Sequence, residues 1–343
     1  MDFQVVNPID HPGWDDLLLA AGEASFFHTS AWARVLVDSY GYRPAYFAAF
    51  DQGRLSALMP FMEISSPWSG RRGVSLPFTD YCRPFGFDRT GLQDAVRAVR
   101  EHAKGRKWSY VEWRSDGHLP EEAVPTESYR LHSLDLRPDE AGLFSGLRES
   151  ARRNVRKAAR EGVIVEFERS TEALREFYRL QCGTRRRHGL PPQPFLFFKS
   201  IGEHVLNRDL GTVASARFGG RVIASSVFFH FGTEAIFKYN ASDPRSLARR
   251  PNNLILWEAV RWCKGRGATT LNLGRTEADD PGLLRFKRSW GAVESPLIYR
   301  RDYLRKRASR GPSRLGRANR RLISGSPKPL LRLLGRLFYK HIG

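Results

Sequence analysis

A lysine set among aromatic residues is the clearest candidate for chemistry in this sequence. Lys287 lies in the stretch FKRSWG, directly after Phe286 and three residues before Trp290. An ammonium group that aromatic rings shield from water interacts strongly with an anion or with the oxygen of a polarised carbonyl, because the local dielectric is low. The alternative is a lysine whose stem packs on the rings while its charge reaches water. The spacing alone favours this alternative.

A second candidate is the run of cations in TRRRHGLPP. Arg187 and His188 come just before Gly189 and a pair of prolines, which indicates a loop. A guanidinium in a loop suits bidentate recognition of phosphate, although several adjacent cations are usually exposed surface. A lone histidine such as His188 more often packs or hydrogen-bonds than acts as a base.

The elements that must position these residues occur twice along the chain. The hairpin-like stretch Gly53–Met62 is similar to Gly220–Phe229, and each follows a strand-like run. Ala98–Arg114 is similar to Ala259–Arg275, and each reads as the end of a helix, a Lys-Gly-Arg stop and a buried strand. Chance recurrence explains one match, but two in the same order favour duplication. We therefore predict an α/β protein with mixed sheets in two tandem domains, residues 1–145 and 146–305, followed by a tail over 306–343.

The second predicted domain opens with a strongly basic helix. In LRESARRNVRKAAREG the cations recur at helical spacing. Such a run is usually a solvated charged face. Its place beside the predicted substrate cleft also favours attraction of phosphate.

The tail has its own pattern. The chain carries a net charge of +20, and from Arg300 onward it has 14 Lys and Arg residues against one acid, Asp302. The last residues place an apolar row on one helical face, with cations opposite: Leu330, Leu333, Leu334, Leu337 and Phe338 against Arg332, Arg336 and Lys340. This pattern is typical of a helix in an anionic membrane interface, and we expect residues 326–343 to bind one and to be removable without loss of the fold. The alternatives are a helix docked on the body of the protein and RNA contact by Arg307, Arg310, Arg314, Arg317 and Arg321.

The remaining composition places the protein inside the cell. The N-terminus lacks the cationic and apolar regions of a signal peptide, and no apolar run is long enough to span a membrane. The three cysteines are widely spaced and form no C-x-x-C pair, which suits a reducing compartment. We expect no metal site and a cytoplasmic protein, peripheral on the inner face of the cytoplasmic membrane.

An ordered set of motifs resembles the FemABX family of aminoacyltransferases, which build peptidoglycan cross-bridges and have FemAB-like relatives in exopolysaccharide biosynthesis. The set is RRNVRKAAREGV, RRRHGLPPQPFLFF, FKYNAS, PNNLILWEAV and FKRSWG, and the resemblance covers roughly residues 25–300. It implies two tandem acyltransferase domains of the GNAT fold, the first of them degenerate.

The resemblance also implies roles for particular residues. It makes Lys287 and Tyr239 of FKYNAS the catalytic candidates, with the lysine acting on the developing oxyanion or on a phosphate. Arg187, as part of Arg-His-Gly, corresponds to a phosphate-binding arginine. The full set of candidate substrate-binding residues is Arg187, His188, Glu112, Asn252, Asn253, Arg275 and Trp290. The N-terminal lysine of the family falls near Leu36 in this chain, so its phosphate role is either lost or taken by Arg34.

The expected activity is formation of an amide on an amino group of a lipid-linked or nucleotide-linked envelope or polysaccharide precursor. In CoA-dependent relatives a glycine-rich pyrophosphate loop comes where this chain has LARRPNNLILW, which contains no glycine. Asn252 and Asn253 are then either ligands or helix caps. We therefore expect no bound cofactor and aminoacyl-tRNA as donor in preference to acyl-CoA. The alternatives are a CoA-dependent N-acetyltransferase of polysaccharide biosynthesis and a non-catalytic GNAT-fold protein that binds glycan or RNA.

Overall fold

The structure is a computed structural model that describes residues 2–115, 123–305 and 323–342. The described residues divide into two compact units. The first unit comprises residues 2–129, 296–305 and 337–342, and the second comprises residues 130–295 and 323–336. The domain limits at residues 145 and 305 stay predictions, and each unit is described by itself.

The first unit contains a six-stranded sheet in the order β1-β2-β3-β4-β5-β12. β4 and β5 run parallel, and the other neighbouring pairs are antiparallel. The strands are β1 (Gln4–Val6), β2 (Arg43–Asp51), β3 (Arg54–Ser66), β4 (Gly70–Val74), β5 (Trp108–Ser115) and β12 (Val293–Tyr303). Its helices are α1 (Trp14–Ala21), α2 (Ser30–Tyr40) and α3 (Arg89–Gly105).

The predicted hairpin in this unit is confirmed. β2 and β3 pair up to Asp51 and Arg54, which leaves a loop of two residues. Gln52 and Gly53 both have positive φ, at 49° and 78°. Two left-handed residues make the turn whose twist matches that of the flanking strands, which is why glycine marks this position. The apolar side chains of the two strands then enter one core with Trp108 and Trp113.

The second unit repeats this order of elements. Its strands follow the order β6-β11-β10-β9-β8-β7, where β10 and β11 are parallel and the pairs from β7 to β10 are antiparallel. The strands are β6 (Val124–Asp135), β7 (Ile164–Glu168), β8 (Gly211–Phe218), β9 (Arg221–Phe231), β10 (Glu234–Ser242) and β11 (Thr270–Glu277). Its helices are α4 (Glu140–Gly146), α5 (Glu149–Arg160), α6 (Thr171–Arg187), α7 (Phe195–His204), α8 (Pro251–Gly265) and α9 (Pro281–Arg288).

The predicted second hairpin and the helix–strand unit after it are also confirmed. β8 and β9 pair around Gly219 and Gly220, and α8 is followed by β11. α8 buries one face against the sheet with Leu256 and Trp257, in one core with Phe228. The basic helix α5 buries only small apolar residues and leaves Arg153, Arg156 and Arg160 exposed.

The predicted amphipathic helix of the tail is present as α10 (Lys328–Ile342). It is docked rather than free, because Leu331 and Tyr339 are buried. Within the first unit, Tyr42 donates a hydrogen bond to the Tyr339 carbonyl and Arg72 donates one to the His341 carbonyl. The arginines at positions 307, 310, 314, 317 and 321 lie outside the described residues. Within the described ranges, no helix combines the length and apolarity that crossing a membrane requires.

Candidate active site in the second unit

The central feature of the second unit is a parallel strand pair that parts soon after it begins. β10 and β11 are in register over three residue pairs only, from Glu234↔Thr270 to Ile236↔Asn272. Just beyond, β10 carries an irregularity between Phe237 and Tyr239 in its pairing with β9. An extra residue of this kind bends a strand and turns it away from its neighbour. The later parts of β10 and β11 therefore flank an opening in the sheet.

Where the pairing with β10 ends, side chains form hydrogen bonds with the backbone of β11. Gly274 has φ of 73°, which breaks the extended conformation. Its N–H donates to the side-chain oxygen of Asn272 at 2.8 Å. The Lys287 ammonium donates to the carbonyls of Gly274 at 2.7 Å and Arg275 at 3.2 Å. These bonds replace ladder bonds that β10 would otherwise supply, and so they stabilise the parting of the two strands.

Lys287 is therefore a buried group. Its side chain is only 3% exposed, and Trp290 is 1% exposed, with the ring of Phe286 6.2 Å from that of Trp290. The interpretation of a lysine whose charge reaches water is wrong. Whether the ammonium also acts on a substrate stays a prediction.

A histidine and a glutamate that sequence reasoning missed lie close to Lys287. His132 of β6 is fully buried and its Nε2 lies 3.2 Å from a carboxylate oxygen of Glu294. Burial, and secondarily the charge of Lys287, hold the pKa of His132 below its usual range. Hydrogen bonds from Arg288 lower the pKa of Glu294 to about 2. No local motif joins positions 132 and 294, so only their contact in the fold reveals the pair.

Two predicted residues converge on the end of β10. Tyr239 packs edge-on against Phe198 and Phe229 at the irregularity of the strand. Arg187 is the last residue of α6, so its predicted place in a loop is wrong and the loop begins only after it. Its side chain is exposed and donates to the Ser242 carbonyl at 3.2 Å. His188 is the C-cap residue of the same helix and is exposed. Tyr239 thus lies on the part of β10 beyond its pairing with β11, and Arg187 of α6 contacts the end of that part.

The helix α8 begins near the same end of β10. Its N-cap is Arg250, in a left-handed conformation with φ of 58°, and no side chain caps it. The interpretation of Asn252 and Asn253 as caps is therefore wrong. Asn253 is buried, and the side-chain oxygen of Asn252 has no hydrogen-bond partner among the described residues. Arg275 lies on β11 with its carbonyl bound to Lys287.

Glu112 belongs to β5 of the first unit. It is 4% exposed and each of its oxygens meets a guanidinium, Arg114 at 2.7 Å and Arg301 at 2.7 Å. Burial raises the pKa of this carboxyl, but the two arginines outweigh it and leave the pKa below its usual value. In the same unit Arg34 donates to the Ile9 carbonyl and Leu36 is fully buried.

Parts of the sequence match a known family model and a curated protein. Residues 145–288 match the family model described as acetyltransferase (GNAT) domain. The lipid II:glycine glycyltransferase of Staphylococcus aureus is 27% identical over 105 residues, which cover 29% of this chain and 25% of that protein. The chain thus matches only a quarter of the length of this relative.

Solved structures are similar over most of the chain. FemX superposes with a TM-score of 0.68 at 13% identity, covering 87% of this chain and 97% of that chain. A tandem GNAT protein from the clavulanic acid biosynthesis pathway superposes with a TM-score of 0.52 at 12% identity, covering 88% and 98%. The predicted mixed α/β fold of tandem GNAT type is confirmed. The chain therefore has the tandem GNAT fold, as FemX and the tandem GNAT protein of the clavulanic acid pathway do.

Proposed function

We propose that this protein transfers an acyl group, in particular an aminoacyl group, to an amine of a lipid-linked envelope or polysaccharide precursor. The observation that carries this proposal is the parting of β10 and β11 beyond Ile236 and Asn272. In our proposal the acyl group lies beside the separated ends of these two strands, next to the Lys287 ammonium. The GNAT match over residues 145–288 supports acyl transfer by this unit.

Amide formation requires an acyl carbonyl held next to a neutral amine, and stabilisation of the oxyanion that forms. In our proposal the hydrogen bonds that Asn272 and Lys287 make with Gly274 keep β11 separated from β10. The Lys287 charge lies in a water-poor environment beside that strand, where its field acts on a developing oxyanion with little screening. Tyr239 and Arg187 line the opposite strand and bind the substrate.

The start of α8 supports a tRNA-linked donor over acyl-CoA. A pyrophosphate-binding helix start uses several free backbone N–H groups and glycines that allow close approach. Here Pro251 has no N–H, and the Asn253 N–H donates to the Arg250 carbonyl. The exposed arginines of α5 offer instead a wide cationic surface, which suits a polyanion.

A transfer assay tests the proposal directly. Purified protein is incubated with radiolabelled aminoacyl-tRNA or acetyl-CoA and with amine-bearing acceptors, either lipid-linked or nucleotide-linked. We expect label in the lipid-linked acceptor from aminoacyl-tRNA. Transfer from acetyl-CoA alone, or low-micromolar binding of acetyl-CoA by calorimetry, would instead establish the CoA-dependent alternative. Binding of a glycan or RNA without any transfer would establish the non-catalytic one.

The proposed phosphate role of Arg187 gives a separate prediction. Arg187→Ala should raise the KM for the precursor by roughly tenfold and change kcat little, because a bidentate contact to phosphate acts on binding. Arg175→Ala is the matched control, since Arg175 is exposed on the same helix and pairs only with Glu172 in the described structure. Equal KM values for both variants would remove Arg187 from the site.

A further inference from the structure

α10 has a second apolar row that its docking leaves uncovered. Leu331, Gly335 and Tyr339, at four-residue spacing, face the protein and are buried. Leu330, Leu333 and Leu337 lie on the neighbouring side of the helix, with 45%, 52% and 48% of their surface exposed. A helix that served only to cover the body of the protein would have polar residues there.

A tryptophan on another element extends this row. Trp68, in the turn between β3 and β4, is 63% exposed. Its ring lies 5.6 Å from the ring of Phe338 and 4.4 Å from that of His341. Large exposed aromatic rings are costly in water, and tryptophan is enriched where a protein meets the headgroup region of a bilayer. We name Leu330, Leu333, Leu337, Phe338 and Trp68 the exposed apolar strip.

The charges around the strip have one sign. Residues 323–342 contain four cations and no acid. Two of the cations, Arg336 and Lys340, are exposed along one side of the helix next to the leucines, whereas the guanidinium of Arg332 lies over the ring of Tyr178. Arg71, close to Trp68, is exposed as well. A protein partner would need a surface that is both apolar and acidic. An anionic bilayer has both properties, because its phosphates lie above an apolar interior.

We propose that the exposed apolar strip inserts into the headgroup region of an anionic membrane, while the cations beside it contact lipid phosphates. The membrane anchor is thus a docked helix edge together with Trp68, not a detached tail. The helix itself stays folded on the protein through Leu331 and Tyr339. The strip would hold the protein at the membrane surface, and this role does not depend on the transfer reaction.

The expectation that residues 326–343 are dispensable for the fold stays a prediction, and this geometry argues against it. Removing α10 would expose the partners of Leu331 and Tyr339 and leave the buried Arg72 without the His341 carbonyl. A buried guanidinium that loses its acceptor is destabilising. Truncation therefore tests folding and membrane binding together, and surface substitutions are the cleaner probe.

The test is cosedimentation of the full chain with vesicles of phosphatidylcholine alone or with phosphatidylglycerol. We expect binding to the anionic vesicles that weakens with added salt. The double substitution Leu333→Gln with Leu337→Gln should reduce binding roughly tenfold or more. Each substitution removes the favourable free energy of transferring a leucine side chain from water into the membrane. Leu247→Gln is the matched control, since Leu247 is exposed on a short helix elsewhere. Trp68→Ser tests the second element of the strip and should weaken binding in the same direction.

Three outcomes would overturn the proposal. They are no binding of the unaltered protein to anionic vesicles, equal binding by the double variant, and self-association or RNA binding that the same substitutions abolish in place of vesicle binding. The assay contains no donor or acceptor, so its failure and a failure of the transfer proposal are distinguishable. Circular dichroism melting confirms that the variants remain folded.

Discussion

Lys287→Met is expected to lower the transfer rate by roughly a hundredfold or more while leaving a folded protein. Methionine keeps most of the packing volume of the buried lysine stem. It removes the charge next to β11 and the bonds to the Gly274 and Arg275 carbonyls. Both losses act on the opening between β10 and β11, where we place the reacting carbonyl.

The same substitution also affects stability, because two buried carbonyls lose a donor. We expect the free energy of unfolding to fall by about 1–3 kcal/mol. Lys264→Met is the matched control, since Lys264 at the end of α8 likewise donates to two carbonyls, those of Leu136 and Arg137. This control should lose stability without losing turnover.

Measuring the thermal midpoint and the single-turnover rate of both variants separates the two roles. A rate that falls far more in Lys287→Met than in Lys264→Met, at a temperature where both are folded, supports action at the site. If the rate falls in parallel with stability in both variants, Lys287 only stabilises the backbone of β11 and does not act in the transfer reaction.

Glu112→Gln is expected to destabilise the first unit by about 3–5 kcal/mol. The glutamine has nearly the same shape but leaves Arg114 and Arg301 without their counter-charge. The side chains of those arginines are only 11% and 19% exposed, so water compensates the loss poorly. If Glu112 instead serves mainly to bind substrate, stability should hold and the KM should rise.

The same pair of contacts gives a pH dependence. The folded pKa of Glu112 is lower than its unfolded pKa, so the unfolded state takes up a proton first as the pH falls. The contribution of Glu112 to stability is thus complete above the unfolded value, near pH 4.5, and is lost as the pH falls through the folded pKa. Stability of the unaltered protein should decline over this acidic range more steeply than that of Glu112→Gln.

Chemical denaturation at neutral and acidic pH measures both effects. Glu166→Gln is the control, because its carboxylate is about half exposed and its pair with Arg217 lies on the surface. An exposed pair contributes about 0–1 kcal/mol, so this variant should behave like the unaltered protein. A Glu112→Gln variant as stable as the control would show that the two guanidiniums do not depend on the carboxylate.

Local sequence was sufficient for the repeated elements. The turn at Gly53 needs residues with positive φ, and the helix ends and apolar strands around it obey local geometry. For the same reason α10 could be predicted from the spacing of its leucines. These features depend on neighbours within a few residues, and such interactions leave a periodic signal in the chain.

The site could be predicted only in part. Lys287, Tyr239 and Arg187 stand out through their motifs, and the structure places all three on elements of the second unit around β10 and β11. Asn272 and Gly274 carry a local signal that sequence reasoning passed over, an asparagine two residues before a glycine at the end of a strand. His132 and Glu294 carry none, because they are far apart in the chain and meet only through the sheet.

The sequence by itself determined that a hairpin and a helix–strand unit occur twice, and that the last helix has an apolar and a basic side. Only the tertiary structure decided what each polar group contacts. It bound Lys287 to the carbonyls of β11, paired Glu112 with two arginines, and covered one apolar row of α10 while leaving the other exposed. The physical reason is that burial and pairing depend on distant residues, and a hydrogen bond or ion pair between them requires the folded backbone to bring the two groups together.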